Sequence, residues 1–386
     1  LVVTLTALLL AGTPAHAQVI CPVTEVTAGL LRPLGITHSN QGNLLVSETG
    51  TATPDTGRVS IVGLDGTRRT LLDGLPSAIS DVGDPSGPSG LFLRGRTLYV
   101  AIGVGDTILP GPSPGTAVAN PNPTSPIFSS VLAVHFSANV EKRTDGLTLT
   151  ADDEQALADG EKVSLGSGRD KITVELIANF PNTSPAAIPG TVNGSNPFDL
   201  VAVGDTLYVT DGGMNLVWQV DLATGASTVL ATFPPIPNPL FNPTPPPPSV
   251  GGPFMQAVPT GIAYSDGQLL VTLFRGVPFA PGTSVVEQID PQTGEHAPLI
   301  GGLKTAIDVL PITEGGDTDH LVLQHASLGP FFGSPGVLLR FETPESSPTV
   351  LANCLNRPTS MALDEKTGTL YVTELLTGRV VAIPID

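Results

Sequence analysis

Apolar residues fall along this chain in short runs, not in helical stripes. The run Leu207-Tyr208-Val209 opens into an acidic, glycine-rich turn, and the chain rewrites that unit: "NLLVSETG" at 43–50, "RTLYVAIGVGD" at 96–106, "DTLYVTDGGMN" at 205–215, "QLLVTLFRG" at 268–276, "HLVLQHASLG" at 320–329 and "TLYVTELLTG" at 369–378. Runs this short, bounded by Gly, Asp and Asn, predict strands joined by tight turns. In the clearest unit, 194–233, four strands read "PFDLVAV", "TLYVTD", "LVWQVDL" and "STVLATF". The turns between them are Gly204-Asp205, 212–215 and 223–225, and together they predict an antiparallel meander.

Five further units align on this one: 32–76, 85–180, 258–303, 305–355 and 357–386. The last is one strand short, and "VICPVTEVTAGL" at 19–30 reads like the missing fourth strand. The pattern predicts an all-β, six-bladed β-propeller spanning 18–386 as one domain, with the N-terminal strand closing the last blade. Closure leaves no exposed sheet edge at the termini. Loops from strand two to strand three, and from each blade to the next, then share one face, called the top face here.

Top-face loops at 104–128, 234–254, 274–282 and 325–336 are long and proline-rich, and carry Phe241, Phe254, Phe274, Phe279, Phe331 and Phe332. They read either as solvated connectors or as a stiffened apolar binding surface. A second insertion in blade two, 137–170, is polar and reads as a solvated excursion on the bottom face with one short helix in "ADDEQALADGEK". Its acidic run lacks the spacing of an EF-hand.

Composition narrows the partners. The 43 Gly and 39 Pro disfavour long helices. With 35 acidic against 17 basic residues and a formal charge of -18, the chain is unsuited to nucleic acid or anionic lipid. The apolar stretch 2–12 followed by Ala15-His16-Ala17 reads as a signal peptide over 1–17, which predicts a secreted or periplasmic protein. No other segment is apolar enough for a membrane span. Cys21 and Cys354 permit one disulfide or two separate thiols. Fourth strands all run one way, which sets the two positions toward opposite faces and argues against a bond.

The second-strand ends bring Glu48, Asp211, Arg275, His325 and Glu374 to the top face, joined by Asn196 and Arg357 from the turns that lead into strand one. Glu48, Asp211 and Glu374 are the candidate ligands of a divalent cation, Ca or Mg. Asn196, Asp211, Asn215, Arg275, His325, Phe279 and Phe331 are candidates for a ligand site. The plainer alternative is that Asp and Asn bond their own turns and that Glu48 or Glu374 pairs with Arg275 or Arg357. Carboxylates crowded at the axis require either a cation or an arginine between them. The chain contains no H-E-x-x-H and no phosphate-binding P-loop.

Two stretches, "SNPFDL…LYVTDGGMN" (195–215) and "VPTGIAY…LLVTLFRGVPFAPG" (258–282), resemble the exported propeller proteins associated with scytonemin biosynthesis in cyanobacteria. The likeness runs over nearly all of 18–386; the insertion at 234–248 and Phe274-Arg275-Gly276 depart from it. The resemblance implies an NHL-like propeller and, for the pigment-pathway members, late extracytoplasmic steps on indolic and phenolic precursors. The leading expectation is an exported propeller that binds a small molecule or an extracytoplasmic protein on its top face. The alternative is a metal-dependent propeller enzyme, either a lactonase-like hydrolase or a catalyst of phenolic or indolic oxidative coupling. A third reading is a scaffold for cell-surface assembly. Whether the chain is catalytic stays open at this level.

Overall fold

A computed structural model describes residues 18–113, 116–144, 146–186, 189–244, 250–330 and 333–385. The signal-peptide segment 1–17, Phe331 and Phe332 lie outside the described residues.

Six antiparallel sheets form the six blades, each with its first strand at one edge. The first strands are Pro33–His38, Pro88–Arg94, Pro197–Val203, Pro259–Ser265, Ala306–Glu314 and Pro358–Asp364. Five sheets have four strands, and blade two gains a fifth, Val163–Leu165. Blade six consists of Pro358–Asp364, Thr369–Glu374, Arg379–Pro384 and, from the other end of the chain, Thr24–Ala28. Thr24 lies opposite Ala382 and Ala28 opposite Arg379, so the N-terminal strand closes the ring as its sequence suggested.

The repeated Leu-Tyr-Val run now has a physical reason. A second strand lies in the middle of its blade, with another blade against each face, so both of its faces must be apolar. Leu207 and Val209 pack toward blade two with Tyr99 and Ala133, while Tyr208 packs toward blade four with Ile262 and Leu269. Leu98 and Val100 face blade one, and Tyr99 faces blade three. The core is therefore a series of layers between neighbouring blades.

Around the axis the first strands lie close together, and hydroxyls bond one blade to the next. Ser89 Oγ donates to the Pro197 carbonyl at 2.9 Å, and Thr359 Oγ1 donates to the Leu34 carbonyl at 2.9 Å. Thr210 Oγ1 donates to the Thr260 carbonyl at 2.5 Å. Each bond satisfies a buried carbonyl that no ladder reaches.

Two expectations need correction. The blade-two insertion is not a solvated excursion. It forms two short helices, α1 (Ala138–Arg143) and α2 (Ala151–Ala158), the second closed by a capping box between Thr150 and Asp153. Val140, Leu149 and Leu157 are buried in the layer shared by blades one and two. Asp73 exchanges backbone bonds with Leu147 and Leu149, and the Arg69 guanidinium donates to the carbonyls of Thr144 and Glu141. The insertion covers the outer strand of blade one, and so removes an edge.

The cysteines are bonded. Cys21 and Cys354 form a disulfide with Cα atoms 5.6 Å apart. Strand direction does not govern Cys21, which precedes the strand Thr24–Ala28 instead of belonging to it. Residues ahead of that strand run alongside blade five. Asn353 N–H donates to the Ile20 carbonyl, Ile20 N–H donates to Asn353 Oδ1, and Asn353 Nδ2 donates to the Gln18 carbonyl. That segment brings Cys21 beside Cys354 and ties blade five to the strand that closes blade six.

Among the described residues, no helix is long and apolar enough to cross a membrane.

Candidate functional site

The last residue of each second strand faces the first residue of the first strand: Glu48 opposite Pro33, Asp211 opposite Pro197, Gln324 opposite Ala306 and Glu374 opposite Pro358. These side chains turn into their own blade. Glu48 accepts from Leu31 N–H and from Ser60, and is held by the Arg58 fork at 2.8 Å on each oxygen. Glu374 accepts from Asn356 N–H at 2.8 Å and from Thr377 and Arg379. Asp211 accepts from Asn196 N–H at 2.8 Å, Ser195 Oγ at 2.6 Å, Gly213 and Met214 N–H, and Trp218 Nε1 at 3.0 Å. Gln324 does the same for Lys304 N–H at 2.6 Å.

Each of these groups fixes the turn that leads into strand one. Arg32, Thr305 and Arg357 accordingly take left-handed backbone with φ of 55°, 46° and 51°. Such a residue costs about 1 kcal/mol or more, which charge-assisted bonds to the turn offset. The candidate metal ligands Glu48, Asp211 and Glu374 are thus fully buried and are not brought together. The arginines that hold the two glutamates are Arg58 and Arg379, which stand opposite them on third strands, and not Arg275 or Arg357. Among the described residues no three His, Cys, Asp or Glu side chains gather as a metal ion would need.

The two asparagines also act between blades. Asn196 Oδ1 accepts from Val104 N–H at 3.0 Å. Asn215 Oδ1 accepts from Val258 N–H at 2.9 Å, while its Nδ2 donates to Gln256.

Another part of the top face does gather. Phe279 meets Phe274 edge-on with ring centres 5.8 Å apart, and Phe274 meets the His325 ring edge-on at 5.7 Å. His325 Nδ1 lies 2.9 Å from the Pro358 carbonyl. A carbonyl only accepts, so Nδ1 carries the hydrogen and Nε2 presents a lone pair. Nothing among the described residues bonds that nitrogen. Burial drives the His325 pKa down to about 4; the Pro358 bond opposes this and the nearby Arg357 charge adds to it. The imidazole is therefore neutral at physiological pH.

Arg357 stands beside it, with its Nη1 buried and lacking a partner, and burial lowers its pKa. Arg275, next in the chain to Phe274, is also buried, and burial lowers its pKa against the raising influence of Glu287. Its Nε donates to the Thr283 carbonyl at 3.0 Å. Neither arginine has a carboxylate within ion-pair distance among the described residues, whereas Arg32, Arg58, Arg340 and Arg379 do. Of the sequence candidates, His325 and Phe279 come together here through Phe274, while the Arg275 side chain turns to the Thr283 carbonyl; Phe331 lies outside the described residues.

The surrounding relief is uneven. Short hairpins rise over blades one to three, at Ala78–Ile79 with Pro85–Ser86, Ile108–Pro110 with Ala117–Ala119, Thr183–Pro185 with Val192–Gly194, and Ile236–Pro237 with Phe254–Met255. The links into blades five and six are only a few residues long. Phe241 and Phe254 sit on the raised side, 36% and 60% exposed, and take no part in the Phe274–His325 cluster. A larger hollow of about 780 Å³ runs down the flank of blade five, lined by Val19, Leu303, Val337, Leu339, Pro344 and Pro348. Volume alone does not make it the site; at the top-face corner Arg357 Nη1 is buried without a partner beside His325.

One feature escaped the sequence reading. The third residues of the first strands form the axial ring: Gly35, Gly90, Asp199, Gly261, Asp308 and Ser360. A Cβ on Gly90 would stand 2.5 Å from Asp199 Cα, and one on Gly261 2.6 Å from Asp308 Cα. Each glycine makes room for the acid on the next blade. Asp199 Oδ2 accepts from Ile262 N–H at 3.2 Å, and Asp308 accepts from Met361 and Val309 N–H at 2.8 Å each. Among the described residues no cation pairs with either acid. Burial pushes Asp199 up to about 7. Burial also raises Asp308 well above the carboxylate range, and the charge of Asp199 adds to it. The cavity left at the axis is about 10 Å³, room for one water. The signal lay in "PFDL" and "AIDV", which set Asp where "PLGI", "PSGL" and "PTGI" have Gly.

No family model matches the chain, and comparison with curated proteins finds no sequence match. Among solved structures, one similar chain is a Thermus thermophilus protein described as an oxidoreductase (glucose dehydrogenase). It is 15% identical, with 94% of this chain and 99% of that one covered and a TM-score of 0.50. Another is the PQQ-bound aldose sugar dehydrogenase of Streptomyces coelicolor, also 15% identical, with 94% and 97% covered and a TM-score of 0.49. Likeness at this identity is one of fold. The class it supports is the six-bladed β-propeller.

Proposed function

We propose that this chain is a ligand-binding propeller that takes a small molecule at the top-face corner made by Phe274, Phe279, His325 and Arg357. The observation that carries the reading is a neutral imidazole whose Nε2 has no bond among the described residues, with Phe274 at 5.7 Å on one side and Arg357 on the other. Buried polar groups left unbonded are costly, and a ligand that bonds them recovers that cost. Binding is favoured over metal-dependent hydrolysis because the rim carboxylates Glu48 and Glu374 are taken up by their own blades, while the unpartnered group at the corner belongs to the Arg357 guanidinium. Aromatic edges suit the indolic and phenolic molecules that the scytonemin-associated resemblance suggests. The Cys21–Cys354 bond supports an oxidising, extracytoplasmic setting.

A crystallographic fragment screen tests the site. Aromatic fragments should seat against Phe274 and Phe279, and Phe274→Ala should abolish them. Hits confined to the flank hollow beside Val337 and Pro348 would remove the basis for this reading.

A further inference from the structure

This inference rests on the reading of the corner as a ligand site and concerns the charge of what it takes. We infer that the ligand is a flat, apolar molecule carrying a carboxylate or similar anionic group, with that group bound by the Arg357 guanidinium and a ligand N–H or O–H donated to His325 Nε2.

Three observations converge on it. Arginines elsewhere in the chain reach carboxylates or carbonyls: Arg58 and Arg379 hold glutamates, Arg340 holds Asp319, and Arg69 holds two carbonyls. Arg357 instead keeps a buried Nη1 with no acceptor, in a chain whose acids outnumber its bases 35 to 17. Carboxylate is abundant in this protein and none is delivered to that guanidinium. A guanidinium nitrogen buried without an acceptor is a costly arrangement that an incoming anion relieves, and the planar fork matches a carboxylate.

The Arg357 charge and the His325 Nε2 lone pair limit the alternatives. A cationic ligand would meet the charge of Arg357 and would add a second desolvated cation. A ligand with no donor would leave Nε2 unbonded. The Phe274 ring, edge-on to both Phe279 and His325, sets an apolar wall beside these polar groups. That wall fits the body of the molecule, not its charge.

Titration calorimetry on residues 18–386 with 6-hydroxynaphthalene-2-carboxylate and its neutral counterpart 6-hydroxynaphthalene-2-carboxamide, both of which carry an O–H donor, tests the claim. The acid should bind at least tenfold more tightly than the amide, and its affinity should fall with added salt while that of the amide does not. Arg357→Gln should erase the tenfold preference and leave the amide unchanged; Phe274→Ala should weaken both. Equal affinity for acid and amide overturns the anionic assignment, and with Phe274→Ala still weakening both, the corner survives as a site. Binding of neither molecule, or binding indifferent to Phe274→Ala, overturns the corner as well. Should Arg357→Gln fail to fold, the acid-to-amide ratio and salt dependence of the unsubstituted protein decide the question.

Discussion

Buried acids at the rim and on the axis are held in opposite ways. At the rim, Glu48 and Glu374 each accept from a turn N–H and from an arginine that stands opposite on the third strand. On the axis, Asp199 and Asp308 accept from backbone N–H groups of their own and the next blade and meet no cation among the described residues. Their pKa values rise accordingly, since amide dipoles do not offset the loss of water. The difference follows from space. A third strand can offer a long arginine across the ladder, whereas the first strands crowd so closely that Gly90 and Gly261 admit no side chain at all. Burial alone therefore does not define an acid's role. A cation within reach makes Glu48 and Glu374 structural clamps, and its absence leaves Asp199 and Asp308 as proton-binding groups.

The comparison breaks most visibly by deletion at the rim. Glu48→Ala strands Arg58 and frees the Leu31 amide, and it should lower stability by about 3 kcal/mol in urea titration with the slope unchanged. A loss under about 1 kcal/mol would show that the clamp contributes little. Acid-to-amide exchange sharpens the contrast. Glu374→Gln removes the charge that holds Arg379 and should cost about 2 kcal/mol. Asp308→Asn removes no charge from a protonated acid at about pH 6 but forfeits one of the two N–H bonds it accepts, and should cost about 1 kcal/mol, less than Glu374→Gln. Equal costs at the two sites would contradict the assignment of protonation on the axis.

Proton linkage gives a third test. The axial acids bind protons more tightly folded than unfolded. Their contribution is full below the ordinary carboxylate pKa and is lost as pH rises toward about 7, by up to about 1.4 kcal/mol per pH unit for each proton held. His325 works in reverse: its folded pKa of about 4 lies below the unfolded value of 6.5, so stability is lost as pH falls from 6.5 toward 4. The two slopes oppose one another across that window. Relative to the unsubstituted protein, urea midpoints between about pH 4.5 and 7.5 should therefore fall more steeply with pH in His325→Gln and less steeply when Asp199→Asn and Asp308→Asn are combined, the contribution of Glu154, which burial raises to about 7, being common to both. Parallel profiles in both variants would refute the linkage. The smallest effect belongs to the exposed Arg32–Asp84 pair, where Arg32→Ala should change stability by less than about 0.5 kcal/mol.

Much of the architecture was legible in the residues, because the blade rule is local. A strand covered on both faces reads as Leu-Tyr-Val, and its turns are written in Gly, Asp and Asn, so six repeats and a displaced fourth strand identify the ring without coordinates. Glu48, Asp211 and Glu374 could be placed at equivalent positions by the same spacing. Their direction could not, because an inward turn toward Arg58 or an N–H competes with an outward turn toward the axis, and that choice depends on what stands across the sheet. The disulfide was decided by three residues ahead of a strand, Cys21 to Val23, and by the Asn353 bonds that turn them back. The axial acids were written as Asp in a glycine position, but their protonation exists only once six strands exclude water together. Periodicity along the chain therefore determined the blades. Which charges meet was set across the strands of a blade, and which acids keep their protons was set between blades, where partners hundreds of residues apart, such as Cys21 and Cys354, come into contact.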